Sequence, residues 1–152
     1  MINSRLTTPR LVILTLLAAA LSLPAWGQSR YTVFAGALLG SPSGFAVGAG
    51  VNFPINHTVS FEPSVAVGRS GHQGLFTADG VFHFTLHPDD EAFTPYLLGG
   101  VGLAQWGSAT HGSVIGGVGA YIPIGHGVWI TPEVRAGERG LARFTIGISK
   151  SF

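Results

Sequence analysis

The sequence predicts an all-β fold, an eight-stranded antiparallel up-and-down transmembrane β-barrel following a cleaved signal peptide. Three observations lead there. The chain is apolar and glycine-rich: 10% of its 152 residues are charged, 23 are glycine, and its mean hydropathy is positive. An ordinary soluble domain carries about 25% charge and about 7% glycine. Second, this hydrophobicity is dispersed. The longest apolar run, Leu11 to Leu23, has 13 residues, and a spanning helix needs about 20. Third, segment after segment alternates apolar with small or polar residues, so that one strand face is oily and the other wettable. In a membrane barrel the oily face meets lipid and the other lines the interior.

Residues 1–27 read as a secretory leader. Arg5 and Arg10 supply the positive start, Leu11 to Leu23 the apolar segment, and Pro24 breaks the helix. Ala25 and Gly27 put small residues at the −3 and −1 positions of a cut between Gly27 and Gln28. The expected domains are therefore a signal peptide over 1–27 and a single barrel over 28–152. Beyond the leader, six basic residues face seven acidic ones, about −1 in net charge, and no basic patch supports nucleic-acid binding. With no cysteine, disulfides and an acylated lipoprotein anchor are both excluded.

About 125 residues remain, and eight strands with their turns use roughly 15 each. Strand one is expected over 31–39, followed by a turn at 40–43. Strand two, 44–53, alternates cleanly, with Phe45, Val47, Ala49, Val51 and Phe53 set against Gly44, Ala46, Gly48, Gly50 and Asn52. A turn at 54–57 leads to strand three, 58–68, which turns Val59, Phe61, Val65 and Val67 outward and Ser60, Glu62, Ser64 and Ala66 inward. A loop over 69–74 precedes strand four, 75–86, whose Phe82, Phe84 and Leu86 oppose Thr77, Asp79, Val81 and His83.

A polar turn at 88–92 leads to strand five, 94–105, which alternates less clearly, with Leu97, Val101 and Leu103 on one face and Tyr96, Leu98, Gly100 and Gly102 on the other. A loop is expected over 106–112, then strand six over 113–122 and a turn at 124–127. Strand seven, 128–136, sends Trp129, Thr131, Glu133 and Arg135 inward. After a connection at 137–140, strand eight carries Phe144, Ile146, Ile148 and Phe152 on its oily face. Turns at 54–57, 88–92 and 124–127 share the side of both termini, expected to be the periplasm. The other four connections face outward and are short. Tyr31, Phe53, Tyr121, Trp129 and Phe152 lie near strand ends, where aromatic girdles form; the inward parity of Trp129 also allows it to fill the lumen.

Strand eight ends on Thr145, Gly147, Lys150 and Phe152. This spacing resembles the C-terminal assembly signal of bacterial outer-membrane barrels, although Lys150 stands where that pattern has a hydrophobic residue. The resemblance implies the barrel-assembly machinery as a partner for the last strand. Pro95-Tyr-Leu-Leu-Gly-Gly-Val-Gly-Leu-Ala104 is similar to a strand common in small OmpA-like barrels. Together the leader, strand count, Gly-x-Gly strands and terminal Phe resemble the OmpA-like or OmpX-like outer-membrane β-barrel family over essentially the whole chain after the leader. That resemblance implies export through the general secretory pathway and a monomer in the bacterial outer membrane. It also implies contact with lipid and lipopolysaccharide, and a structural or surface role with no cofactor.

The interior face collects five charges, Glu62, Asp79, Glu133, Arg135 and Arg143. An eight-stranded barrel is just wide enough for side chains to fill it, and a buried charge without a partner is strongly unfavourable. These five are therefore expected to form a structural network that fills the lumen. Lys150 is expected to snorkel at the periplasmic rim, and Arg69 to sit near the outer rim as a solvated loop charge, with contact to lipopolysaccharide phosphate as the alternative.

Two chemistries compete with a non-catalytic reading. His111-Gly-Ser113 with Glu133 resembles the base, nucleophile and orienting acid of outer-membrane lipid A 3-O-deacylases. Here Val114 stands where that family has Asn, and strand parity turns Ser113 and Glu133 inward, away from lipid. The histidines invite a metal. Asp79, His83 and His87 share a face, but each step of four residues covers about 13 Å, and a pairing of His72 with His111 gives only two ligands. No metal or catalytic residue is assigned. A further alternative is a secreted soluble β-barrel or sandwich, whose outward face would be polar.

Overall fold

The computed structural model describes residues 28–40, 43–86, 92–137 and 142–152. The leader, the proposed cut after Gly27, His87 and most of the connections at 40–43, 88–92 and 137–140 lie outside them. The described residues form eight strands: β1 Arg30–Leu39, β2 Gly44–Pro54, β3 Val59–Ser70, β4 Gln73–Thr85, β5 Thr94–Trp106, β6 Ala109–Gly125, β7 Val128–Gly137 and β8 Ala142–Ser151. Each pairs antiparallel with its neighbours in sequence, and β8 returns to β1, closing the barrel. That seam runs from Arg30 opposite Ser151 to Leu39 opposite Ala142. Closure satisfies the backbone of every strand without a free edge, the condition for crossing hydrocarbon with strands. Strands of 10 to 17 residues exceed the 9–11 or so needed to span a bilayer at a tilt of about 45°.

Two connections at the end away from the termini are tighter than their composition suggests. The polar stretch 69–74 was expected to be a loop, yet β3 and β4 run to within two residues of each other around Gly71 and His72. Likewise β6 begins at Ala109, so 106–112 reduces to a turn at Gly107 and Ser108. Gly71 and Gly107 have φ of 59° and 56°, a region open to glycine without a Cβ clash. At the opposite end, Asn56 Oδ1 accepts from the backbone N–H of Thr58 and Val59, both at 2.8 Å. This side-chain turn caps the β2–β3 hairpin.

The two faces separate as the period-two pattern requires. Val33, Val101, Val114 and Ile148 are each about 60% exposed on the outside. Phe45, Val67, Phe82, Leu97 and Ile146 join them in a continuous apolar surface. A soluble barrel would turn polar side chains outward, so this surface fits a hydrocarbon solvent. Tyr31 and Phe152 meet near the termini with ring centroids 6.2 Å apart. Tyr121, expected in the same girdle, is instead buried inside, because it shares inward parity with Ile115 and Gly119. Trp129 also packs inward against the core.

Inside are two apolar clusters. Phe34, Leu38, Ala46, Ala66, Leu75 and Ala104 pack with Trp106 toward the far end, away from the termini. Val81, Tyr96, Leu98, Ile115 and Tyr121 pack with Trp129 toward the termini. Large rings fit in so narrow a tube because glycines face them: a Cβ at Gly119 would fall within the Tyr96 phenol, and one at Gly48 would strike the Phe34 ring.

Candidate functional site

Between the apolar clusters lies a charged layer. Glu62, Asp79, Glu133, Arg135 and Arg143 are all buried and converge on the barrel axis. Each reaches it by strand parity: Glu62 from β3, Asp79 from β4, Glu133 and Arg135 two residues apart on β7, and Arg143 from β8. Arg135 is the hub. Its Nη2 donates to Glu62 Oε1 at 2.7 Å, its Nη1 to Ser64 Oγ at 3.1 Å and to Asp79 Oδ2 at 3.4 Å. Its Nε donates to Glu133. Arg143 Nη2 donates to the same Asp79 oxygen at 2.8 Å and its Nη1 to Thr77 Oγ1 at 3.2 Å. A planar guanidinium with five donors suits this multiple engagement better than an ammonium would.

The layer continues toward the termini as a column of rings. Tyr96 OH donates to Glu133 Oε2 at 2.8 Å. His83 stacks on Tyr96, with centroids 4.5 Å apart and planes within 7°. His83 Nδ1 lies 2.7 Å from Tyr121 OH, and its Nε2 is 4.0 Å from Glu62 Oε2. Asn52 Nδ2 donates to Ser60 Oγ at 2.9 Å and to Tyr121 OH at 3.4 Å. Thr32 and Ser149 hydroxyls meet at 2.7 Å across the β1–β8 seam.

The five sequence-predicted charges thus share one layer, with members that charge alone did not reveal. Tyr96, Tyr121, Asn52, Ser64 and Thr77 supply hydrogen bonds, and His83 belongs to the column rather than to a metal cluster. Inward parity combined with a polar side chain was the signal available for each. What space remains is small. A cavity of about 60 Å³ toward the far end is lined by Leu38, Thr77, Trp106, His111, Ser113 and Arg143 among others. A void of about 10 Å³ lies on the other side, bordered by Glu62, Tyr96 and Glu133, enough for about one water. Arg135 borders both.

The esterase residues do not assemble. His111 and Ser113 sit at the far end of β6, opposite Ala104 and Gly102. Glu133 stands opposite Gly119, six residues further along β6 and so about 20 Å away. Glu133 is engaged by Arg135 and Tyr96, while His111 packs against Trp106 with centroids 5.7 Å apart. Among the described residues no group of three His, Cys, Asp or Glu side chains is arranged to hold a metal ion. His72 lies on the β3–β4 turn, whereas His111 lies within β6. Of the C-terminal signal residues, Thr145 and Gly147 face inward on β8. The backbone N–H of Phe152 donates to Ser29 O at 3.0 Å.

No known protein-family model matches the sequence, and no curated protein matches it. Solved structures do match the fold. The N-terminal β-barrel domain of Pseudomonas aeruginosa OprF aligns with a TM-score of 0.66 at 14% identity, covering 82% of this chain and 97% of that one. Neisserial surface protein A aligns at 0.61 with 17% identity, covering 82% and 96%. A de novo designed transmembrane β-barrel aligns at 0.62 with 13% identity, covering 83% and 96%. The chain therefore has the fold of small eight-stranded transmembrane barrels. The designed barrel also makes plain that this fold carries no particular activity with it.

Proposed function

We propose that the protein is a non-catalytic integral protein of the bacterial outer membrane, OmpA-like or OmpX-like in type, with a structural or surface role. The observation that carries this reading is the inversion of polarity. The outside is a continuous apolar surface, and the charges lie inside, paired. A filled lumen, blocked at Arg135, supports a membrane plug rather than a wide pore, since aqueous channels need about 16 strands.

In this reading residues 1–27 direct export and are removed before Gln28. The last strand, through Thr145, Gly147 and Phe152, is read by the barrel-assembly machinery, and the barrel works as a monomer. The end bearing the termini faces the periplasm, leaving the tight turns at Gly71–His72 and Gly107–Ser108 outside. Such short turns favour close contact with lipopolysaccharide over a large adhesive surface. Arg69 on β3 and Lys150 at the opposite rim are both exposed; in this reading Arg69 meets its phosphates and Lys150 snorkels to headgroups.

The test is an outer-membrane fraction run on a denaturing gel with and without boiling. The expected result is a compact band that shifts on heating. A single unshifted band in periplasm or medium overturns the reading. Liposomes carrying the protein should retain trapped sugars as well as empty ones do; rapid efflux would replace the plug with a pore.

A further inference from the structure

Among the described residues, Arg30 is the one charged lumen residue outside the central layer. It sits at the start of β1, at the mouth beside the termini. Its guanidinium carbon lies 4.3 Å from the Trp129 ring centroid and 4.9 Å from that of Tyr121. Those two rings hold it by cation–π attraction, which uses the faces of the guanidinium and leaves its N–H edge available. Among the described residues Arg30 has no ion pair. The carboxylates of Glu62, Asp79 and Glu133 lie deeper, held by Arg135 and Arg143.

Arg30 opens onto space. A cavity of about 140 Å³ at this mouth is bordered by Arg30, Asn52, Asn56, His57, Ser60 and Trp129 among others. A wider recess of about 400 Å³ continues it past Gln28, Arg30, His57 and Trp129. The inner part has room for several waters, or for a tetrahedral oxyanion and part of its hydration. Its border combines a pre-oriented cation with amide, hydroxyl and imidazole groups. The far-end cavity, by contrast, is smaller, and the arginines that border it, Arg135 and Arg143, are already paired with Asp79.

We propose that this mouth is a binding site for phosphate, free or as part of a headgroup, with Arg30 as the bidentate ligand and Trp129 and Tyr121 as its support. Arginine pairs with phosphate through two parallel N–H···O bonds. The ring clamp fixes the fork before the anion arrives, so little side-chain entropy remains to be lost on binding. The His57 imidazole borders the same rim. This inference concerns the mouth and is independent of the structural role proposed above.

The test uses the Trp106→Phe variant in maltoside micelles, where Trp129 is the one tryptophan of residues 28–152. Inorganic phosphate is titrated against chloride at matched ionic strength while its emission is followed. The expected result is a saturable change with phosphate alone, weakened about tenfold or more by Arg30→Lys, which keeps the charge but loses the fork, and abolished by Arg30→Gln. Heat-shift gels establish that each variant is folded; if Arg30→Gln does not fold, Arg30→Lys decides. Dihexanoyl phosphatidylglycerol that competes with inorganic phosphate identifies a lipid headgroup as a source, and failure to compete identifies the free anion. An equal response to chloride, or wild-type affinity in folded Arg30 variants, overturns the site while leaving the barrel reading intact.

Discussion

Arg135 and Glu62 stand on opposite walls of the barrel, on β7 and β3, yet their side chains meet at 2.7 Å. Three strands lie between them in either direction around the sheet. Asp79 on β4 and Arg143 on β8 repeat the relationship at 2.8 Å, and Asn52 on β2 reaches Tyr121 on β6 at 3.4 Å. Three of the four diameters of the tube are thus bridged by direct polar contacts. These contacts belong to side chains 64 to 73 residues apart, so none can form before most of the barrel has assembled.

Replacing Arg135 with Met should be strongly destabilising. It leaves Glu133 and Glu62 buried without their main cation, a loss of about 3–5 kcal/mol. Unfolding in urea, followed by tryptophan emission in micelles, reads the change. Adding Glu133→Gln and Glu62→Gln should recover much of it, because the uncompensated charges are then gone. A single Arg135→Met variant as stable as the wild type would remove the network from the list of forces holding the barrel.

Gly119→Ala should destabilise by about 1–3 kcal/mol, because the new methyl occupies the space of the Tyr96 ring and pushes its hydroxyl from Glu133. Gly116→Ala, three residues away on the outer face with no atom within 4 Å of the added carbon, should stay within about 0.5 kcal/mol of the wild type or gain slightly. Comparing the two unfolding midpoints separates packing of the lumen from strand propensity.

Much of this arrangement was legible in advance. The alternation of β2 and the inward run Thr77, Asp79, Val81 and His83 set the faces directly, and the five charges followed from parity. Strand ends were less legible. Near Gly71 and Gly107 backbone pairing continues where neither lipid nor core selects apolar residues, so the ladder persists after the periodicity fades. Tyr121 misled for a different reason. A tyrosine near a strand end suits a headgroup interface, and only its register with Ile115 and Gly119 places it inside. The partners of Arg135 lay beyond sequence reasoning, because which acid a buried arginine meets depends on which strands face each other across the closed sheet.

Val101→Arg should weaken folding into bilayers by about 2–4 kcal/mol, since this residue is near the middle of β5 and 63% exposed on the outer face. The same change on a protein surface bathed in water would be nearly neutral. Reversible folding into lipid vesicles distinguishes the two, and an indifferent Val101→Arg variant would mean that this face does not meet lipid.

Lipid A from cells expressing the protein should have the same acyl chains as lipid A from cells without it, and Ser113→Ala should change nothing. Mass spectrometry of extracted lipid A provides the check. Loss of one acyl chain that depends on Ser113 would restore the esterase alternative and require a different partner for His111 than Glu133.

A hollow cylinder under lateral pressure fails first by ovalising, one diameter shortening while the other lengthens. The contacts joining β3 to β7 and β4 to β8 act as cross-braces against this deformation, and they cross near one level of the tube. Squeezing the wall along one axis would stretch or compress these buried ion pairs. The barrel should therefore keep a nearly round section as bilayer tension changes, with its stiffness concentrated at the charged layer and its compliance at the two mouths.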